Sequence, residues 1–187
     1  MNNENVKILE SNVNNSIDNK EEKMKVLIAD DAEIIAKTIK NVLTEDDRLE
    51  ILEIANNGTE EYEKIIELKP DLVITDNQMP GLNGIDVIEK IYNSDIQDKP
   101  TFIMITGDAF NPELRNKANE FNVFRIIRKP IDDELLKEAI EEFIIEKENE
   151  KQVDNSEKAM IEIKEIEKEK SLWKRILKFF GIIKNTN

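Results

Sequence analysis

Leu72-Val73-Ile74-Thr75-Asp76-Asn77-Gln78-Met79-Pro80-Gly81-Leu82-Asn83-Gly84 passes from an unbroken apolar, β-branched run into a polar loop punctuated by Pro and Gly. The run reads as a strand buried on both faces, and the loop over 76–84 as the turn into a helix over 85–92. A strand covered on both faces belongs in a parallel sheet with helices above and below it.

Working upstream, Met24 opens Lys25-Val26-Leu27-Ile28-Ala29-Asp30, a second short apolar run bounded by charge. Ile34, Ile35, Thr38, Ile39, Val42 and Leu43 then fall on one helical stripe. A strand over 49–55 follows, closed by Asn56-Asn57-Gly58, with Thr59 as the expected N-cap of a helix to 68 that Pro70 ends. Downstream the pattern predicts a strand over 101–106, a helix over 112–121, a strand over 123–127 and a helix over 132–147. Five strands alternating with helices make an α/β, doubly wound parallel sheet.

Composition sets limits on what such a domain does. The 187 residues carry a net charge of -14 and no His or Cys. Non-specific nucleic-acid binding, disulfides, thiol nucleophiles and imidazole chemistry are therefore not expected of the whole chain. If a phosphoryl group is handled here, another molecule carries it in. Residues 1–23 hold seven Asn among scattered charges and read as a disordered leader, with no apolar signal-peptide segment. A cytoplasmic location is the default expectation.

In doubly wound sheets functional groups gather beyond the C-terminal ends of the strands. There stand Asp30 and Asp31 after the first strand, Asp76 after the third, Thr106 at the end of the fourth and Lys129-Pro130 after the fifth. Alone, an acidic pair at a strand end reads equally well as a helix cap. Three converging carboxylates repel one another and call for a hard cation, and Mg²⁺ suits one or two carboxylates completed by waters and phosphate oxygens.

Asp30-Asp31, Asp76 with Met79-Pro80 and Gly84, Thr106-Gly107 and Lys129-Pro130, in this order and spacing, resemble the receiver domain of two-component response regulators over 24–146. The resemblance implies a flavodoxin-like sheet of order 2-1-3-4-5. It implies that Asp76 accepts a phosphoryl group from a histidine kinase or histidine phosphotransfer protein. Asp31, Asp76 and the backbone carbonyl of Gln78 would bind Mg²⁺ directly, with Asp30 acting through a water. Lys129 would pair with a phosphoryl oxygen, and Thr106 and the Gly107 N–H would contact the group and report its presence. Gln78 and Asp108 occupy the positions that tune the lifetime of the acyl phosphate. Output would pass through the face of the fourth helix, fifth strand and fifth helix to an unknown downstream protein.

Two positions depart from the family pattern. Ile126 stands where an aromatic switch residue is usual, with Phe124 two residues upstream. Asn122 stands where Gly usually precedes the fifth strand, and Asn tolerates the left-handed conformation better than most residues. Ile126 keeps an alternative in view, a receiver-fold scaffold or membrane-surface adaptor that works without phosphorylation. An independent phosphohydrolase is disfavoured, because Gln78 rather than a second acid stands two residues after Asp76.

No DNA-binding module is expected after the domain. Residues 147–170 read as a charged Glu/Lys helical linker. Residues 171–187 reverse the charge: Trp173, Ile176, Leu177, Phe179 and Phe180 share a broad apolar face, with Lys174, Arg175 and Lys178 mostly opposite. This basic amphipathic helix is too short to span a bilayer. It fits an anionic membrane surface or a partner groove, which would place the chain peripherally at the inner face of the membrane; the competing reading folds the segment onto its own receiver.

Overall fold

In the computed structural model, which describes residues 22–179, the five apolar runs become β1 (Met24–Ala29), β2 (Leu49–Ala55), β3 (Leu72–Asp76), β4 (Thr101–Thr106) and β5 (Arg125–Arg128) of one sheet. The order is β2-β1-β3-β4-β5 and every pairing is parallel. Ala29 pairs with Thr75, Asp76 with Ile105 and Thr106 with Arg128, so the C-terminal ends of β1, β3, β4 and β5 come level at one edge. All five residues of β3 are buried, as its unbroken pattern requires.

The helices are α1 (Glu33–Leu43), α2 (Gly58–Leu68), α3 (Gly84–Tyr92), α4 (Pro112–Glu120) and α5 (Asp133–Phe179). Leu27, Val73 and Met104 from the sheet meet Val87, Ile88 and Ile91 of α3 and Leu114 and Ala118 of α4 in one buried cluster. Each buried aliphatic contributes roughly 1.5–3 kcal/mol, against about 1 kcal/mol for a cap. Packing therefore decides where α3 lies. Two glycines permit its approach to the site. A Cβ on Gly84 would meet the Asp76 carbonyl oxygen at 2.5 Å, and one on Gly58 would meet the Leu82 carbonyl oxygen at 2.0 Å.

Four local expectations need correction. Asn57, not Thr59, caps α2: its side chain accepts from the Glu60 N–H at 2.9 Å, while Glu60 reaches back to the Asn56 N–H at 2.9 Å. That reciprocal arrangement satisfies donors that a Thr59 cap would leave bare. Ile34 is 76% exposed, and the inward stripe of α1 is Ala36, Ile39, Val42 and Leu43. β5 starts two residues later than expected, because Val123 closes α4. Its N–H reaches the Ala118 carbonyl at 2.8 Å and Asn122 adopts φ 54, the left-handed turn that its Asn was expected to allow.

The last helix does not stop near Lys147; it continues without a break to Phe179. The chain divides into two compact units, Met1–Ala139 and Ile140–Asn187, so most of α5 belongs to the second. From Lys151 onward its described side chains are exposed until Ile176 and Leu177, which are half-buried. The leader over 1–21, Phe180, the rest of the segment over 180–187 and the Lys178 side chain lie outside the described residues. No helix among the described residues is long and apolar enough to cross a membrane.

Candidate functional site

Level strand ends bring Asp30, Asp31 and Asp76 together, each offering a carboxylate oxygen within 4.8 Å of the others. Asp30 and Asp76 are buried and Asp31 is exposed, so the cluster opens to solvent on the Asp31 side. Asp30 follows β1, where its Oδ1 accepts the Ala32 N–H at 2.9 Å and starts the turn into α1. Asp30 does not cap the helix: the N-cap is Ala32, no side chain caps it, and the Asp30 bond holds the turn ahead of it. Asp76 ends β3, and its Oδ1 accepts the Gln78 N–H at 3.1 Å.

Lys129 reaches into this cluster from the residue after β5. Its Nζ donates to Asp76 Oδ2 at 2.7 Å and to Asp30 Oδ2 at 2.9 Å. Its own N–H is held by the Thr106 carbonyl at 2.9 Å, and the Lys129-Pro130 peptide is cis. Burial acts against the lysine's charge, but the Asp76 and Asp30 carboxylates outweigh it and raise the Lys129 pKa. At Asp30 the balance falls the other way: burial raises its pKa and the Lys129 hydrogen bond only partly restores it. One cation among three acids leaves negative charge uncompensated. A hard divalent cation fits this all-oxygen donor set, and the residues that could hold it are Asp30, Asp31 and Asp76.

Thr106 is wholly buried at the end of β4, and its hydroxyl oxygen accepts the Asp108 N–H at 3.1 Å. Gly107 is exposed with open space around its Cα. Gln78 and Asp108, thirty residues apart, are joined directly: Gln78 Nε2 donates to Asp108 Oδ2 at 2.8 Å. Ile126 is half-buried and packs on the main core cluster. Phe124 lies ahead of β5 with the Arg125 guanidinium 5.8 Å from its ring centre.

Sequence reasoning missed two neighbours of the site. Phe110, in the loop after β4, is 70% exposed, and the Arg128 guanidinium lies 5.2 Å from its ring centre. Glu61 is wholly buried in α2, and the charge of Asp76 acts on it. Helical phase could have found it, since Gly58, Glu61 and Ile65 form the buried stripe of that helix.

Known proteins share this fold and part of this sequence. A protein-glutamate methylesterase/protein-glutamine glutaminase of Syntrophomonas wolfei is 38% identical over 106 residues, covering 57% of this chain and 30% of that protein. The uncharacterized transcriptional regulatory protein YesN of Bacillus subtilis is 32% identical over 123 residues, 65% of this chain and 33% of that one. The chain thus spans about a third of the length of these relatives. Among solved structures, a CheY-like receiver domain protein from Methanospirillum hungatei superposes with a TM-score of 0.62 at 27% identity, covering 68% of this chain and 98% of that one. The response regulator domain of Thermotoga maritima CheB gives 0.57 at 25% identity, covering 65% and 93%. Residues 26–141 match the response regulator receiver domain, and the chain belongs to that family of two-component phosphoacceptor modules.

Proposed function

We propose that Asp76 takes a phosphoryl group from the phosphohistidine of a partner kinase or histidine phosphotransfer protein, in the cytoplasm, and that the occupied site signals through protein contacts. The observation that carries this reading is Lys129 held 2.7 Å from Asp76 inside the three-acid cluster. An Asp76 carboxylate oxygen attacks phosphorus, the P–O bond forms as the P–N bond to the donor breaks, and the imidazole leaves. Carboxylates need no base for such an attack. Lys129 moves from Asp76 to the new phosphoryl oxygens, which carry more charge than the carboxylate it leaves. Thr106 turns its hydroxyl to the same group while the Gly107 N–H meets it from the backbone. Asp31, Asp76 and the Gln78 carbonyl would hold Mg²⁺, with Asp30 acting through a water; when bound, the ion offsets repulsion between the acids and the arriving phosphoryl oxygens.

The test is intact-mass measurement of the protein incubated with Mg²⁺ and acetyl phosphate. One added phosphoryl group, absent when Mg²⁺ is chelated, is the expected result. No added mass under any condition supports the phosphorylation-independent scaffold instead.

A second reading concerns the tail and is favoured by its exposure: Leu172, Trp173 and Phe179 are 54%, 56% and 86% exposed on a helix that also carries Lys174 and Arg175. We infer that this end of α5 lies against an anionic membrane surface. Each cation contributes about 1 kcal/mol there, so the apolar side chains supply most of the attachment. Anionic vesicles should shift Trp173 fluorescence and neutral ones should shift it less. No shift with either would end this reading.

A further inference from the structure

From Lys151 to Arg175 every side chain of α5 is exposed, yet the helix carries Ile161, Ile163, Ile166 and Trp173 along that length. A helix draws most of its stability from packing one face, and its exposed ion pairs, such as Asp154–Lys158, support it only weakly. Its apolar residues lie on two faces, so exposure alone does not say which face takes a partner. Charge does. Steps of four and three residues from Ile145 to Leu177 mark ten positions, and only Lys170 among them is charged, against sixteen of the twenty-three residues between. That spacing is the seam of a two-stranded coiled coil, and Ile161 falls outside it.

The seam is uneven along its length. Its first half offers Asn149, Gln152, Ser156 and Ala159, which are small or polar, and its second half offers Ile163, Ile166, Trp173 and Leu177. The charge is uneven in the same sense. From Glu141 to Glu157 seven acids stand against two lysines, whereas from Lys170 to Lys178 four cations stand with no acid.

We propose that the exposed seam of α5 packs, antiparallel, on the same helix of a second copy of this chain. Ile145 then lies opposite the partner's Leu177, Ser156 opposite the partner's Ile166 and Ala159 opposite the partner's Ile163, so each small residue meets a large one. Gln152 meets the partner's Lys170 and accepts from it, and Glu146 flanks the partner's Lys174. A parallel pair would set Lys170 against Lys170 and bring acidic end to acidic end, so the charges choose the orientation. The one like-charge contact is between the two Glu162 side chains at the centre, where both remain open to water. The seam runs about 48 Å. Leu172 and Phe179 lie on the other side of the helix, which leaves them to a membrane. The inference goes beyond the phosphoacceptor reading and does not depend on it.

Sedimentation equilibrium of the full chain tests the seam. A reversible dimer of the 21.7 kDa chain is expected. Ile161 and Ile163 are equally exposed, at 57%, so they make a matched pair. Ile163→Asp should weaken association at least a hundredfold and Ile161→Asp less than threefold. Equal effects, or no effect of either, overturn the seam. A chain that stays monomeric while anionic vesicles shift its Trp173 emission gives this face to lipid and overturns the dimer.

Orientation is tested by disulfide trapping, which is clean because the chain has no Cys. In the antiparallel pair the two copies of residue 152 lie about 27 Å apart along the axis, far beyond disulfide reach, and so do those of residue 170. Gln152→Cys and Lys170→Cys should therefore not trap alone under mild oxidation, but should trap as a mixture. Efficient trapping of each variant alone, or no trapping of the mixture, overturns the antiparallel arrangement.

Discussion

Asp30 and Glu61 are equally buried, both at 0% exposure, and both sit close to Asp76, yet they meet the cost of burial in opposite ways. Asp30 keeps a cation, Lys129 Nζ, at 2.9 Å and an N–H from Ala32 at the same distance. Among the described residues Glu61 has no such donor, and burial pushes its pKa up to about 8. Desolvating an ion costs several kcal/mol, so whether a buried carboxyl stays charged depends on what lies within hydrogen-bond reach. The neighbourhood of Asp76 therefore holds one buried acid with a cation and a backbone donor and, among the described residues, another with neither. Each variant below disturbs one side of that contrast.

The largest effect is expected from Asp76→Asn, which removes the nucleophile while nearly preserving size and shape. Phosphoryl incorporation, read by intact mass, should fall to nothing while the circular dichroism spectrum is unchanged. Undiminished labelling would show that another side chain accepts the group. The same substitution removes a charge that helps keep Glu61 protonated, so the Glu61 pKa should fall.

Glu61→Gln tests the neutral side. In the unfolded chain Glu61 loses its proton near 4.5, while in the folded chain it holds the proton to about 8. Between those values the folded state binds more protons, so the contribution to stability is fully present below 4.5, is lost as pH rises and is gone above about 8. The size is on the order of 4 kcal/mol across the window. Urea unfolding of wild type and variant over that range should show wild type losing stability relative to Glu61→Gln as pH rises. Parallel curves would mean that Glu61 is charged in the folded protein.

Lys129→Ala tests the charged side. It leaves Asp30 and Asp76 buried without their cation, although Lys129 itself retains 24% exposure, which softens the penalty. A loss on the order of 2 kcal/mol is expected without Mg²⁺ and less with it, measured by urea unfolding. Labelling should persist at a reduced level, since the cation does not attack phosphorus. The change in Trp173 emission or amide spectra on labelling, if wild type shows one, should vanish. An activation signature that survives intact would remove Lys129 from the reporting role.

The sheet and its edge were legible in the sequence because they rest on strong patterns. The unbroken β-branched run 72–75, bounded by Pro70 and a Pro/Gly loop, reads as a strand buried on both faces, and acids and a lysine placed after separate strands point to one edge. Features that depend on a tertiary partner were hidden. The Gln78–Asp108 bond links loops thirty residues apart, and no local periodicity encodes it. Glu61 looks like any acid near a helix start until its phase with Ile65 is set against the sheet. Val123 carries a strand former's side chain, but closing α4 through Ala118 took precedence over β pairing. The continuous α5 was obscured because its apolar residues after 147 follow no single stripe, so helical charge pairs such as Asp154–Lys158 were the remaining signal.

The smallest effect concerns the Gln78–Asp108 bond. Both side chains are exposed, and such a bond contributes about 1 kcal/mol net, which bounds its kinetic effect at roughly fivefold. The bond ties one Gln78 N–H to one Asp108 oxygen, and the expectation tested is that the joined pair shields the acyl phosphate from water. Gln78→Ala and Asp108→Ala should therefore shorten the lifetime of the labelled protein by similar factors, with the double variant no shorter than either single one. Decay of the phosphorylated mass after removal of the donor measures this. If Asp108→Ala lengthens the lifetime while Gln78→Ala shortens it, the carboxylate has been serving the water as a base, and the two residues act separately rather than as a closed pair.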